Sequence, residues 1–191
     1  MRLVELIIDE DAELFGIDAI SLVENGAIQS NFLKFKKQAV TLAEVDADKR
    51  MLIGAALIPD KPIYRQDGDS EFHVYFSKNT VRKAMELFFK FGNQNNTTLE
   101  HEHKLNGLSV VESWIVMDKD KDKSSYYGLD VPVGTWMVAV KVENEAIWND
   151  YIKSDLVKGF SIEGYFIDKM NTKTEEEILS ALEKLLSECQ D

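Results

Sequence analysis

The run Lys158-Gly159-Phe160-Ser161-Ile162-Glu163-Gly164-Tyr165-Phe166 constrains this chain more than any other stretch. Read as a strand, it alternates: Phe160, Ile162, Gly164 and Phe166 fall on one face, and Ser161, Glu163 and Tyr165 on the other. One face suits a core. The other presents a hydroxyl, and Gly159 and Gly164 let a second backbone or a substrate come close. That is a place for a nucleophile, and equally the pattern of a structural hydroxyl. The nucleophile elbow of the α/β-hydrolases is excluded, because it needs glycine two residues either side of the serine and Glu163 holds the second place. A different fold must carry this serine.

The rest of the chain reads mainly as strands. Leu3 to Ile8 and Ile17 to Val23 are the first two, with Asn25-Gly26 as a turn signal after them. Phe32 to Lys36 and Ala39 to Leu42 are short and ambiguous. Met51 to Ile58 is a continuous apolar run, the mark of a strand buried on both faces. Glu71 to Phe76 alternates, with Phe72, Val74 and Phe76 inward and His73 outward. Ser77 can cap a helix through Phe91 that Gly92 ends, with Val81, Ala84, Met85 and Phe88 on one stripe. Thr97 to His103 reads as a strand, paired across Asn106-Gly107 with Leu108 to Met117. Asp118 to Lys123 has the first ligand spacings of a calcium loop, but Lys123 and Leu129 stand where that loop needs Gly and Glu, which leaves a solvated hairpin tip. Thr135 to Val142 is another strand, and Glu143 to Ser154 a short helix with Ala146, Ile147 and Tyr151 inward. A final amphipathic helix has Thr174 and Glu177 as its capping box and Ile178, Leu179, Leu182, Leu185 and Leu186 along one side. These elements predict an α+β fold with one domain over 1–170 and a separable C-terminal helix over 171–191.

A chain of 191 residues, 45% apolar and 29% charged, suits one globular domain. Its net charge of −12 argues against direct nucleic-acid binding, which relies on clustered Lys and Arg. The single cysteine, Cys189, allows no internal disulfide and no cysteine-rich zinc site. No apolar run is long enough to predict a membrane span or a signal peptide, so the cytoplasm is the expected compartment.

A serine nucleophile needs a base within reach and a third group to orient that base. Two of the three histidines stand in Glu100-His101-Glu102-His103. On a strand, His101 and His103 share a face. The pair reads as structural, as a base for Ser161, or, with Glu112, as a metal-dependent hydrolase site of two histidines and one carboxylate. Glu112 lies in the apolar run Val110-Val111-Glu112-Ser113-Trp114-Ile115-Val116, where a carboxylate is costly unless paired. A hairpin from His101 to Glu112 brings the two together, which makes Glu112 the leading orienter and Glu163 and Asp168 its reserves.

From about Gly54 to Phe166 the chain resembles the prohead (head-maturation) serine proteases of tailed phages, in particular the phage protease family first named from a defective prophage. The resembling blocks are Gly54-Ala55-Ala56-Leu57-Ile58-Pro59-Asp60 with Ile63-Tyr64-Arg65, Tyr75-Phe76-Ser77, Thr98-Leu99-Glu100-His101, Val111 to Val116, Gly134-Thr135-Trp136 and Gly159 to Gly164. Each is weak alone; in order, over more than half the chain, they are specific. The resemblance implies a mainly antiparallel β-barrel with surrounding helices, as in the herpesvirus assemblin protease. It implies a serine nucleophile, matched by Ser161, and a preceding histidine base, matched by His101. A third residue has no clear counterpart. The implied substrates are phage scaffold, the major capsid protein and the protease itself, inside the assembling prohead in the host cytoplasm. Self-association is allowed, and no cofactor, metal, nucleic acid or membrane is called for. Ala19-Ile20-Ser21-Leu22-Val23 looks like a motif that relatives carry nearer the C-terminus, as in a permuted order. The competing reading is a scaffold-like or binding component of the prohead without activity.

Overall fold

The structure, a computed structural model, describes residues 2–24, 33–35 and 50–169. The Asn25-Gly26 turn, the Ala39 to Leu42 segment, the helix expected from Thr174 and the boundary at 170/171 lie outside the described residues. The strands are β1 (Arg2–Ile7), β2 (Gly16–Val23), β3 (Leu33–Phe35), β4 (Met51–Leu57), β5 (Ile63–Asp67), β6 (Ser70–Phe76), β7 (Thr97–Leu99), β8 (His103–Leu105), β9 (Leu108–Ile115), β10 (Trp136–Val142), β11 (Gly159–Tyr165) and β12 (Ile167–Asp168). Their ladders form three four-stranded sheets, ordered β12-β1-β6-β5, β3-β4-β10-β9 and β11-β2-β7-β8. Pairing is antiparallel except for β1 with β6 and β2 with β7. The fold is therefore α+β with mostly antiparallel strands. Among the described residues the ladders form three separate sheets, with no ladder that joins them into one closed barrel.

Local chemistry accounts for the main elements. In β4 all but Met51 are buried, as an unbroken apolar run between β3 and β10 requires. Leu52, Ala56, Trp136 and Val138 enter the main core, while Ile53, Ala55, Met137 and Ala139 enter a second cluster on the opposite face. Helix α1 (Lys78–Lys90) starts at Ser77, whose side chain accepts from the Thr80 N–H, and ends before Gly92 at φ 74°. Its stripe of Val81, Ala84, Leu87 and Phe88 is buried, and the Phe88 ring meets Trp136 edge-on at 5.5 Å.

The main core draws on all three sheets: Val4, Val74 and Phe76 from the first, Leu52 and Trp136 from the second, Ile17, Leu22 and Phe160 from the third. Each such side chain contributes roughly 1.5–3 kcal/mol by leaving water. Phe160 therefore anchors β11 inward, and its neighbour Ser161 must face the other way.

One local expectation fails and a second is refined. Thr97–Leu99 forms β7 and His103 opens β8, with a tight turn between them, and among the described residues β8 pairs with β7 alone, so no His101–Glu112 hairpin forms. The Asp118–Lys123 segment does lie in the connection between the paired β9 and β10, but it is built as an Asx turn and a helix start: Asp118 Oδ1 accepts from the Asp120 and Lys121 N–H groups, and Asp122 caps a short helix at Lys123–Tyr126.

Candidate active site

The site lies where β11, β2 and β7 run side by side. Ser161 stands opposite Ser21 in the antiparallel β11–β2 ladder, and Ser21 stands opposite Thr98 in the parallel β2–β7 ladder. Residues in one row across a sheet share a face, so the three hydroxyls line up on the side away from Phe160. Glu163 is two residues along β11 from Ser161, before the bulge that follows it, and so joins this face. Ser161 is 8% exposed and Ser21 0%.

His101 enters from the end of β7. Because β7 runs parallel to β2 and stops at Leu99, opposite Leu22, the chain turns beside Ser21. Glu100 and His101 both take positive φ, 50° and 62°, and the Glu102 N–H closes the turn on the Leu99 carbonyl at 3.0 Å. Successive positive-φ residues define the tight hairpin turn that normally asks for Asn-Gly. For residues with a Cβ this geometry costs on the order of 1–2 kcal/mol each, so the surroundings must hold it. They do so through three contacts: the Glu100 N–H on the Leu22 carbonyl (3.0 Å), the His101 N–H on Ser21 Oγ (3.0 Å), and the Glu24 N–H on Glu100 Oε1 (2.6 Å).

His101 Nδ1 lies 3.2 Å from Glu163 Oε1, and Thr98 Oγ1 donates to that same oxygen. A carboxylate only accepts, so Nδ1 carries the proton of this bond. The His101 and Glu163 side chains are 42% and 28% exposed, open enough for a substrate to reach. A second carboxylate, Asp18, stands nearby at the bulge; burial first, and then the charge of Glu163, raise its pKa above the ordinary aspartate value.

The structure thus places His101 against the reserve carboxylate Glu163, two residues along β11 from Ser161. Glu112 is on β9, in a different sheet, and binds Lys123, whose ammonium also sits 5.2 Å from the centre of the Trp114 ring. It is paired, as its apolar neighbours require, but outward, at the bulge in the β9–β10 ladder that leaves both Val111 and Glu112 exposed. Asp168 binds Arg2 at 3.0 Å across β12 and β1. His103 is 74% exposed beside Glu102, so the proposed metal set of His101, His103 and Glu112 is not assembled. Thr98 and Ser21 received no role from the sequence. Their signal was the polar residue inside an apolar strand, the one that pointed to Glu112.

No curated protein and no solved structure matches the chain significantly. A family model does match, over residues 38–170, a span that holds His101, Ser161 and Glu163. The chain belongs to the phage family described as "putative phage serine protease XkdF".

Proposed function

We propose that this chain is a serine endopeptidase of phage head maturation, with Ser161 as nucleophile, His101 as general base and Glu163 as the carboxylate that orients the base. The observation that carries the reading is the Nδ1 contact of His101 with Glu163, a residue that shares a strand face with Ser161. Three groups with the roles of a nucleophile, a base and an orienter meet on one short stretch of sheet, in a family described as serine proteases.

In the reaction, Nε2 of His101 removes the Ser161 Oγ proton as Oγ bonds to the carbonyl carbon of the scissile peptide. The carbonyl π electrons move to oxygen, and preorganised N–H donors hold that oxyanion. Collapse of the intermediate breaks the C–N bond, and the imidazolium gives its proton to the departing amine. Water then adds to the acyl-enzyme with His101 again as base, releasing the acid and restoring Ser161. Glu163 accepts from Nδ1–H throughout and stabilises the imidazolium, while Thr98 keeps the carboxylate aimed.

The substrates of this reading are scaffold, the major capsid protein and the chain itself, inside the prohead in the host cytoplasm. The reading also takes the three sheets as a barrel of the herpesvirus assemblin kind, supported by the core they share. The test is co-expression with the neighbouring scaffold and capsid proteins, comparing wild type with Ser161→Ala and His101→Ala by intact mass. Loss of a triad member costs up to about a millionfold, so fragments should vanish in both variants. Fragments that persist in both would leave the chain as a prohead component without protease activity.

A further inference from the structure

Ser21 is a polar residue in the strand Ala19-Ile20-Ser21-Leu22-Val23, in which every residue is buried. A hydroxyl in such a place is unfavourable unless something uses it. Here the user is the base. Of the three N–H groups in the turn, those of Glu100 and Glu102 bond to main-chain carbonyls, whereas that of His101 bonds to Ser21 Oγ at 3.0 Å. The side chain of Ser21 thus takes over from the β2–β7 ladder at the residue whose position matters most for catalysis.

Ser21 also stands opposite Ser161 in the β2–β11 ladder. The strand between nucleophile and base is therefore β2, and its contact with the base's own backbone is this hydroxyl. Ser21 is not a second nucleophile, since it is fully buried and its oxygen already takes the His101 N–H.

We propose that Ser21 is a positioning residue, which pins the turn carrying His101 to the strand row carrying Ser161. The assignment rests on the serine-protease reading. Without the hydroxyl, the positive-φ turn keeps its flanking bonds but His101 gains freedom relative to Ser161. The consequence falls on the chemical step rather than on binding.

The experiment uses the full chain and a fluorophosphonate probe, which reports attack by Ser161 without requiring the natural substrate. Ser21→Ala should lower the maximal inactivation rate roughly 10- to 100-fold while leaving the half-saturating probe concentration within about twofold. Ser21→Thr, which keeps the acceptor, should recover most of the rate. A Ser21→Ala protein with the wild-type rate overturns the assignment, whatever its melting temperature. Should Ser21→Ala fail to fold, Ser21→Cys, close in size and a poorer acceptor, takes its place with the same slowing expected and the same overturning result. Ser161→Ala runs in parallel: labelling that survives it defeats the protease reading itself, whereas no labelling there with a normal rate in Ser21→Ala defeats only the role of Ser21.

Discussion

Glu163 stands two residues beyond Ser161 on one strand, and its Oε1 lies 3.2 Å from Nδ1 of His101 on the turn after another. Strand alternation sends both β11 side chains to the same face, and the parallel β2–β7 pairing delivers His101 to it. One strand thus supplies Ser161 and Glu163, the proposed nucleophile and orienter, and His101, 60 positions before Ser161, is the proposed base. This arrangement separates the two candidate carboxylates experimentally. Glu163→Gln replaces the acceptor at Nδ1 with a group that can also donate, which permits the wrong tautomer. In the chymotrypsin-type triad the comparable change costs about 10⁴ in kcat. At this more open site a loss of roughly 10²–10⁴ is expected, read as probe-labelling or cleavage rate. Glu112→Gln should leave the rate unchanged, and a large loss there would return Glu112 to the site.

Gly164 is expected to tolerate no side chain. A Cβ built there lies 2.3 Å from the Gly16 carbonyl oxygen and 3.0 Å from Ile17 Cα, both backbone atoms of β2. Backbone cannot rotate aside, so Gly164→Ala must push β11 and β2 apart next to the row of Ser161 and Ser21. Overpacking of this kind costs typically 1–3 kcal/mol, and here roughly the upper part of that range is expected, as a lower urea midpoint. The same separation should reduce labelling of Ser161. A variant with wild-type stability would show that the two strands have slack at the bulge.

Asp18 gives a pH signature. Burial and the Glu163 charge raise its carboxyl in the folded state above its unfolded value. The folded chain then binds more protons than the unfolded one over the window between those values, so stability falls as pH rises through it. At neutral pH the charged Asp18 is a net liability. Asp18→Asn should raise the melting temperature by about 1–2 °C at pH 7, in line with a surface substitution, and the gain should disappear once the solution is acid enough to protonate Asp18 in both states. A gain that persists unchanged in acid would assign the effect to something other than charge.

Much of this architecture is legible locally. The alternation of Phe72, Val74 and Phe76, the unbroken run at Met51 and the Ser77 and Gly92 signals each reflect one element's own burial and capping. The pairing of β1 with β6 and β2 with β7 is not, because each parallel pair joins segments far apart in sequence and periodicity carries no register between them. The turn that carries His101 was hidden for a second reason. Glu100-His101 has neither the Gly nor the Asn that announces a positive-φ turn, and the conformation is held instead by Ser21 and Leu22 on β2 and by Glu24 just after it. Once that turn is missed, Thr97 to His103 reads as one strand and Glu112 looks like the nearest carboxylate.

Thr97 and Thr98, adjacent on β7, should respond oppositely to the same substitution. Thr97 points into the core at 2% exposure, and its Oγ1 is buried without a hydrogen-bond partner among the described residues. Valine has almost the same shape and carries no polar atom, so Thr97→Val removes a desolvated hydroxyl at little steric cost. A gain of about 1 kcal/mol is expected in urea unfolding, with labelling of Ser161 unchanged. Thr98 points to the other face, and its hydroxyl donates to Glu163. Thr98→Val frees the carboxylate that orients His101, so the labelling rate should fall roughly 10-fold while stability changes by less than about 1 kcal/mol. Equal effects of the two substitutions on rate would mean that Glu163 is not held by Thr98 during turnover, and a destabilised Thr97→Val would mean that its hydroxyl has a partner in solution.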